Sequence, residues 1–238
     1  MSLVLGFDTA TAETVVAVCE RSGAELAGRR VGPGEGGRPR HAPALLAAIE
    51  AAVADAGGWG EVSLIAVGVG PGSFTGARIG VATARALAQG RALPLAGVSS
   101  TAAMAAGVAD ATGERGRDVA LGVIDARRGE VFAELAAEGA QPPDAKRGPV
   151  VAAPEALIEA LPGAAGALAG GDGAIRFRRE LEAAGIGVLE PEDPAHRLSA
   201  RHVCVLAGTV ESGPAEGVVP RYLRRPDAER WLERDRGD

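Results

Sequence analysis

The fold is decided by the stretch Gly68-Val69-Gly70-Pro71-Gly72-Ser73-Phe74-Thr75-Gly76-Ala77-Arg78-Ile79-Gly80. The run Ser63–Val69 that leads into it is continuously apolar, which predicts a strand covered on both faces. Pro71 cannot continue a central strand, so the strand ends before it. Ser73 or Thr75 can cap the helix that follows, which is predicted over Thr75–Gln89. The stretch therefore predicts a buried strand, a tight turn and a helix, which is the pattern of an α/β protein.

A glycine-rich turn before a helix also suggests a phosphate loop. A Walker A loop ends in Gly-Lys-Ser/Thr, and this stretch has no lysine. The dinucleotide fingerprint Gly-x-Gly-x-x-Gly begins at Gly68 and Gly70 but has Ser73 at its third glycine position. Both motifs fail, yet free backbone N–H groups at the start of a helix suit an anion. ATP binding remains an alternative, and its candidate residues are Asp8, Thr9, Gly70, Gly72 and Ser73.

A second interpretation of the same helix is close packing. Gly76, Gly80 and Ala84 are spaced by four residues, so they share a face on which another backbone can approach. The predicted helix His41–Ala56 is apolar over most of its surface. Two helices with more apolar surface than one sheet face can cover predict an interface with another protein. The candidate partner-binding residues are Leu45, Leu46, Ile49, Val53, Gly76, Gly80, Thr83, Ala84 and Leu87.

Composition narrows the class of protein. The chain has 238 residues, and only 3% are aromatic, so Ala, Val, Leu and Ile must build the core. The net charge of −6 argues against a protein that clamps nucleic acid alone. The sequence has no run of about 18 or more strongly apolar residues, so no membrane span is predicted. Leu3–Phe7 is expected to be a first strand and not part of a signal peptide. Cys19 and Cys204 are expected to be reduced, buried thiols of a cytoplasmic protein, with one disulfide between them as the alternative.

The two halves of the chain begin alike. Leu5-Gly6-Phe7-Asp8 leads from a predicted strand into a small turn and a returning strand. Leu121-Gly122-Val123-Ile124-Asp125 does the same about half the chain later. This repeat predicts a duplicated domain with mixed sheets. The predicted half-domains are 1–108 and 109–197, with the segment 198–238 packing back on the first.

Four segments resemble, in order along the chain, motifs of one known family. Residues 68–80, followed by Gly97-Val98-Ser99-Ser100, closely resemble the glycine segment of the TsaB (YeaZ) family. Asp8-Thr9-Ala10-Thr11 is similar to its Asp-Thr-Ser/Ala-Thr turn, and residues 124–131 to its Ile-Asp-Ala-Arg-x-x-Glu-Val/Ile segment. Pro220-Arg221-Tyr222-Leu223-Arg224 resembles its C-terminal Pro-x-Tyr-Leu-Arg. The departure is Ala42, where the family commonly has Ser or Thr.

The resemblance implies an actin-like ATPase fold, in which two ribonuclease-H-like half-domains each have a mixed sheet flanked by helices. It implies an accessory subunit without catalytic residues, which binds and activates the TsaD-type transferase that forms N6-threonylcarbamoyladenosine in tRNA. The implied partners are that TsaD-like paralogue, a TsaE-like ATPase and a second copy in a homodimer, with tRNA reached only through the complex. It places the contact with the paralogue on the helices of the first half-domain and requires no cofactor of this chain.

The histidines bear on whether the chain has a metal of its own. The paralogue holds a metal with a paired-histidine motif, whereas His41, His196 and His202 are not paired at three or four residues. No metal site is therefore expected, and His41 is interpreted as the start of a helix. Two alternatives are kept: an actin-fold ATPase or kinase, motivated by the Asp8-Thr9 turn, and a peptidase, for which no nucleophile–base pair is visible.

Two charged segments are interpreted as surface. The turn with Asp125, Arg127 and Glu130 is expected to be a charged hairpin with a local ion pair, with ligand binding as the alternative. The C-terminal arginines are expected to be solvated or to touch partners, because acidic residues are interspersed among them. They are Arg221, Arg224, Arg225, Arg230, Arg234 and Arg236, diluted by Asp227, Glu229, Glu233 and Asp235.

Overall fold

Each half of the chain builds one mixed sheet around a buried central strand. The computed structural model describes residues 2–113, 119–136 and 148–224. The strands of the first sheet are β1 (Leu3–Asp8), β2 (Thr14–Glu20), β3 (Glu25–Val31), β4 (Val62–Gly68), β5 (Leu95–Val98) and β11 (Ser212–Gly213). Their order is β11-β5-β4-β1-β2-β3, and β1 pairs antiparallel with β2 and parallel with β4. Every residue of β1 is buried, as expected where both edges and both faces of a strand are covered.

The second sheet repeats the first. Its strands are β6 (Ala120–Arg127), β7 (Glu130–Leu135), β8 (Val150–Ala152), β9 (Leu168–Gly170) and β10 (Gly187–Val188). Their order, β8-β7-β6-β9-β10, matches β3-β2-β1-β4-β5, and β6 is again antiparallel to one neighbour and parallel to the other. The predicted duplication is confirmed. The architecture is the actin-like, duplicated ribonuclease-H-like fold, and the two halves are called the first and second lobes below.

Seven α-helices flank the sheets in the described residues. They are α1 (His41–Asp55), α2 (Phe74–Arg91), α3 (Ser100–Gly113), α4 (Leu157–Ala160), α5 (Asp172–Arg176), α6 (Arg178–Ala183) and α7 (Ala200–Leu206). α1 and α2 cover the outer face of the first sheet, and α4 to α6 cover the outer face of the second. α3 and α7 lie between the two sheets in a shared apolar core. Helices on both sheet faces bury both sides of each central strand.

The boundaries of two elements differ from the sequence-based expectation. α3 continues to Gly113, past the predicted lobe boundary at residue 108, because its later residues pack on strands of the second lobe. The segment predicted as one helix over 174–184 is two helices, α5 and α6, separated at Phe177.

The chain returns to the first lobe after the second is complete. A Cβ added at Gly6 would lie 2.5 Å from Cys204 Sγ, so α7 packs very close to the backbone of β1. Strand β11 then pairs with β5, and the Arg221 N–H donates to the Val69 carbonyl over 2.7 Å. Cys19 and Cys204 are both free and buried, as predicted. None of the helices in the described ranges is both long and apolar enough to cross a bilayer.

Candidate functional site

The glycine-rich turn lies directly on the turn that follows β1. The Ser73 N–H donates to the Ala10 carbonyl over 2.7 Å, and a side chain at Gly72 would overlap that carbonyl. Ser73 Oγ accepts the N–H of Gly76 over 3.2 Å, so Ser73, one of the two predicted candidates, is the cap of α2. The space between the two turns is filled by the chain itself.

The small-residue face of α2 packs on the same turn. A side chain at Gly76 would overlap the Thr9 carbonyl, and a Cβ at Gly80 would lie 2.5 Å from Thr9 Oγ1. Thr9 Oγ1 donates to the carbonyl of Gly76 over 2.8 Å, and Ala84 is buried further along the face. Close packing is thus confirmed, but the approaching backbone belongs to this chain. The assignment of Gly76, Gly80 and Ala84 to a partner surface is wrong, because intramolecular contacts use that face.

Helix α1 divides its predicted partner-binding residues between core and surface. Leu45, Ile49 and Val53 are buried against the first sheet, so their assignment to a partner surface is also wrong. Leu46 is 52% exposed on the opposite face. On α2, Thr83 and Leu87 are partly exposed. These three are the predicted partner-binding residues that a second protein can reach.

Asp8 is a buried carboxylate, and both of its oxygens accept hydrogen bonds from other residues of the chain. It is 1% exposed. Its Oδ1 accepts the N–H of Ala10 and its Oδ2 the hydroxyl of Ser100, both over 2.6 Å. Burial raises the pKa of Asp8 from 3.8 to about 6, although the hydrogen bonds from Ser100 and Ala10 act in the opposite direction. A side chain at Gly68 would overlap this carboxylate.

Three successive hydroxyl residues at the start of α3 bind carboxylates from both lobes. Ser100 binds Asp8 of the first lobe and also accepts the N–H of Gly70 over 3.1 Å. Ser99 and Thr101 both donate to Oε2 of Glu134 in β7 of the second lobe, Thr101 over 2.6 Å. Burial raises the pKa of Glu134. We call this arrangement of Ser99, Ser100 and Thr101 with the two carboxylates the α3 joint.

The fold family suggests Mg–ATP at this edge of the first sheet, and the residues there do not fit it. A magnesium ion that bridges phosphates needs an accessible carboxylate oxygen. Asp8, Thr9 and Gly70 are buried, and the oxygens of Asp8 already accept internal donors. Only Gly72 and Ser73 of the predicted nucleotide-binding residues reach an open space. The five residues therefore do not form one accessible site.

That open space is a cleft of about 570 Å³ between the lobes. Its walls come from the turn after β1, the start of α2, the β6–β7 hairpin, the start of α5 and the chain segment after β11. The lining residues include Ala10, Thr11, Ala12, Pro71, Gly72, Ser73, Phe74, Ile124, Asp125, Ala126, Arg127, Arg128, Phe132, Asp172, Arg221, Tyr222, Leu223 and Arg224. A cavity of this volume accommodates a ligand of small-molecule size.

The hairpin wall of the cleft carries paired charges. The side chain of Asp125 is 6% exposed, and its Oδ2 lies 2.8 Å from Arg176 Nη1 and 3.2 Å from Arg127 Nη1. The predicted local ion pair is therefore present. Arg127 and Arg128 have φ angles of 64° and 57°. A left-handed backbone costs a residue with a side chain roughly 1–2 kcal/mol, so the hairpin tip is strained.

The opposite wall carries an aromatic cluster that the sequence analysis did not predict. The rings of Phe74 and Tyr222 lie 4.9 Å apart between centroids. The Arg78 guanidinium lies 3.7 Å from the centre of the Phe74 ring, and Arg78 Nε donates to the Tyr222 hydroxyl over 2.9 Å. Phe74 is 37% and Tyr222 43% exposed. We call Phe74, Arg78 and Tyr222 the aromatic cluster.

The histidines have structural partners. His41 begins α1, as predicted, and its Nδ1 lies 2.8 Å from Thr14 Oγ1. His196 Nε2 lies 3.0 Å from the carbonyl of Glu190, and His202 Nε2 lies 3.0 Å from Asp110 Oδ2. Within the described residues no three His, Cys, Asp or Glu side chains are grouped to hold a metal.

The tail prediction is tested only at its first residues. Arg224 pairs with Glu130 and donates to the Ala126 carbonyl over 3.0 Å, and Arg221 is exposed beside the cleft. Arg225, Arg230, Arg234 and Arg236 lie outside the described residues, as do the acidic residues among them.

Comparisons with known proteins agree with this architecture. A profile of the family described as TsaD, tRNA N6-adenosine threonylcarbamoyltransferase, matches residues 33–179. An uncharacterized protein of Mycobacterium tuberculosis is 32% identical over 96% of this chain and 94% of its own length. The Escherichia coli tRNA threonylcarbamoyladenosine biosynthesis protein TsaB is 47% identical over 72 residues, 30% of each chain.

A solved structure extends the likeness over nearly the whole chain. YeaZ from Pseudomonas aeruginosa superposes with a TM-score of 0.73 and 27% identity, covering 94% of this chain and 100% of that one. The profile match includes the motif at Gly68–Gly80, and the Mycobacterium tuberculosis relative and the YeaZ structure each cover more than nine-tenths of the chain. The chain therefore belongs to the tRNA N6-adenosine threonylcarbamoyltransferase family and is a protein of the TsaB (YeaZ) type.

Proposed function

We propose that this chain is a non-catalytic subunit in the biosynthesis of threonylcarbamoyladenosine in tRNA, where it binds and activates a TsaD-type transferase. The likeness to TsaB proteins supports the pathway. The proposed complex includes a TsaE-like ATPase, and its place of action is the cytoplasm, where tRNA is modified. Homodimers form when the transferase is absent.

The observation that carries the accessory role is the use of Asp8. An actin-like ATPase needs a carboxylate that faces bound phosphate, and here Ser100 and Ala10 bind both oxygens of that carboxylate inside the chain. The glycine turn packs on Ala10 at the same place. The edge of the first sheet thus acts as a structural support, and we propose that the chain turns over no ATP there.

The proposed contact with the transferase is the outer face of α1 and α2. This α1–α2 surface comprises small and apolar residues that remain accessible: Ala42, Leu46, Ala47, Ala82, Thr83, Ala86 and Leu87. Small side chains let two helices of a partner approach closely, and a stable contact would bury on the order of 1,200–2,000 Å² in total. The buried half of each helix supports this surface from below and takes no part in the contact.

Reconstitution tests the activating role. Unmodified tRNA is incubated with the TsaD-type transferase, the TsaE-type ATPase, threonylcarbamoyl donor and ATP, with and without this chain. Threonylcarbamoyladenosine, measured by mass spectrometry of digested tRNA, is expected to depend on the chain. Equal product without it would refute the activating role.

A matched pair of variants tests the surface. Leu46→Glu puts a charge at the centre of the α1–α2 surface, whereas Ile175→Glu puts one on α5 of the second lobe at a similar exposed fraction, 43% against 52%. Both variants are expected to fold, because both side chains face solvent. Leu46→Glu is expected to lose co-elution with the transferase in size-exclusion chromatography, and Ile175→Glu to retain it. Retention by both would exclude this surface.

A further inference from the structure

The cleft between the lobes is lined by aromatic rings and by arginine side chains, and the proposed function uses neither. One wall has the exposed rings of Phe74 and Tyr222. The other wall has Arg127 and Arg128 at the tip of the β6–β7 hairpin, and Arg221 lines the same cleft from the segment after β11. Aromatic rings bind the flat face of a nucleobase, and guanidinium groups bind phosphate. The combination is that of a nucleotide-binding surface.

The backbone at the hairpin tip strengthens this interpretation. Arg128 and Gly129 are the two central residues of the hairpin turn and both have positive φ, 57° and 82°. Such a turn favours Asn-Gly, because asparagine tolerates the left-handed region and arginine does not. Arg127 beside them is also left-handed, with φ of 64°. Two adjacent arginines in strained backbone that line a cleft support a functional role for their side chains.

Asp125 and Asp172, two described carboxylates that line the cleft, have partners within the chain. Asp125 is surrounded by Arg127 and Arg176, and its Oδ1 also accepts the N–H of Arg127 over 2.8 Å. Asp172 Oδ1 accepts the N–H groups of Asp125 and Gly173 over 3.1 and 2.9 Å. Both acids are therefore used in organising the hairpin and the start of α5. The side chain of Arg127 remains 75% exposed despite its ion pair.

We propose that this cleft binds a nucleotide, with its base stacked on the aromatic cluster and its phosphate paired with Arg127, Arg128 and Arg221. The source is an unpaired nucleotide of RNA, because the groups lie at an exposed mouth through which a strand can enter and leave. A free nucleotide would be expected in a more enclosed pocket that covers most of its surface. Identifying the RNA as tRNA rests on the proposed function. The site does not involve Asp8.

Binding is measured on the full chain by fluorescence anisotropy with a labelled unmodified tRNA transcript at several salt concentrations. The test variant is Arg127→Gly combined with Arg128→Asn, which removes both guanidinium groups and suits the left-handed backbone. The control, Arg21→Gln with Arg179→Gln, removes the same charge from exposed positions that do not line the cleft. The test variant is expected to bind about tenfold more weakly, with a slope of log affinity against log salt smaller by about 1 to 2. The control is expected to bind like the parent chain.

The aromatic wall has its own variants. Tyr222→Ala with Phe74→Ala removes both rings and is expected to weaken binding by about tenfold, since stacking on aromatic side chains supplies much of single-strand affinity. Tyr222→Phe keeps the ring and loses only the hydroxyl that Arg78 binds, so it is expected to bind normally.

Competitors distinguish the sources of the nucleotide. A single-stranded oligoribonucleotide is expected to displace the labelled tRNA, and a fully paired RNA duplex is not. Displacement by AMP or ATP, lost in the arginine variant, would support the nucleotide site and assign it to a free nucleotide. Equal affinity of the parent chain and both cleft variants, or no binding of any probe, would overturn the proposal.

This result is separable from the proposed function. Co-elution of the arginine variant with the TsaD-type transferase is measured in parallel and is expected to be unchanged, because the hairpin lies apart from the α1–α2 surface. Loss of RNA binding with retained co-elution supports the cleft site. Retained RNA binding by that variant overturns the cleft site and leaves the contact with the transferase standing.

Discussion

The two lobes place an aspartate at equivalent points of the same strand arrangement and use it in opposite ways. Asp8, at the end of β1, is 1% exposed and accepts hydrogen bonds from uncharged groups, Ser100 and Ala10. Asp125, in β6, faces the cleft and is neutralised by the guanidinium groups of Arg127 and Arg176. Asp8 therefore stabilises the interior of the first lobe, and Asp125 stabilises a hairpin at the surface of the cleft.

The repeated topology determines where each carboxylate lies, whereas the neighbouring residues determine whether it stabilises the core or lines the cleft. In the first lobe the glycine-rich turn packs on the turn after β1, and both oxygens of Asp8 accept hydrogen bonds from within the chain. In the second lobe Asp125 lines the open cleft, where its backbone N–H donates to the side chain of Asp172. Function in this chain is therefore expected in the cleft between the lobes and on the outer helices.

The largest expected effect concerns the glycines that end β4 and β9. Gly68→Ala places a methyl group on the buried carboxylate of Asp8 and is expected to lower the free energy of unfolding by more than about 3 kcal/mol. Gly170→Ala places one 2.6 Å from a methyl group of Val108, which can shift, so about 1–2 kcal/mol is expected. Urea unfolding of both variants measures the difference. Equal losses would contradict the contrast between the two strand ends.

Removing one hydrogen-bonding partner of each aspartate is expected to have the next largest effect on the free energy of unfolding. Ser100→Ala leaves Asp8 Oδ2 and the Gly70 N–H without their buried partner and is expected to cost about 2–3 kcal/mol. Arg176→Ala removes a half-exposed partner of Asp125 and is expected to cost less than about 1 kcal/mol. Chemical denaturation at pH 7 tests both. A cost for Arg176→Ala as large as that for Ser100→Ala would mean that Asp125 is as essential to folding as Asp8.

The pH dependence of stability distinguishes the two carboxylates further. The pKa of Asp8 is raised by burial from 3.8 to about 6, so its protonated form stabilises the fold below pH 4, and this contribution is lost as the pH rises through 6. Between pH 5 and 7 the free energy of unfolding is expected to fall by about 1 kcal/mol from this group. Asp8→Asn is expected to remove that slope. Glu134 shifts in the same direction and is unchanged in the variant, so the difference between the two proteins isolates Asp8.

The smallest expected effect is a gain. Arg128→Asn relieves the left-handed arginine in the hairpin of the second lobe and is expected to raise the free energy of unfolding by about 0.5 kcal/mol. Thr11→Asn, in the equivalent turn of the first lobe, has no positive φ to relieve and is expected to give no gain. Thermal unfolding compares the two. A loss of stability in Arg128→Asn would show that the arginine side chain itself stabilises the hairpin.

Local features of the fold were predictable from the sequence. The turn at Pro71, the Ser73 cap and the start of α1 at His41 each depend on a few adjacent residues, so their chemistry is visible in the chain. The duplication was visible because a strand that ends in aspartate occurs twice. The end of α3 was not predictable, since packing against the second lobe extends that helix past residue 108.

The surface and the site were less predictable, because they depend on contacts between distant segments. The stripe Gly76, Gly80 and Ala84 correctly indicated close approach, yet nothing local identified Thr9 as the neighbour. Leu45 and Leu46 differ only in the side of α1 that they occupy. Glu134 meets Thr101, and Tyr222 meets Phe74, only through the tertiary fold. A carboxylate in the alternating strand 130–135 was the one sequence signal for Glu134, and the Pro-x-Tyr-Leu-Arg motif was the signal for Tyr222.

A Gly80→Leu substitution would be a poor test of the partner surface. On a partner surface it would block binding, but Gly80 faces Thr9 and Val67 inside the first lobe. Leucine there would disturb the fold, and lost binding would then say nothing about an interface. Leu46 is the informative position because its side chain already faces solvent.

The α3 joint has a mechanical consequence. Rotation of one lobe against the other would have to break hydrogen bonds to a buried carboxylate, because consecutive residues of α3 are fastened to Asp8 on one side and to Glu134 on the other. We therefore expect the two lobes to move together and not to close about a hinge at the start of α3. A transferase docked on the outer helices of the first lobe would therefore lie at a constant distance from the arginine hairpin of the second lobe.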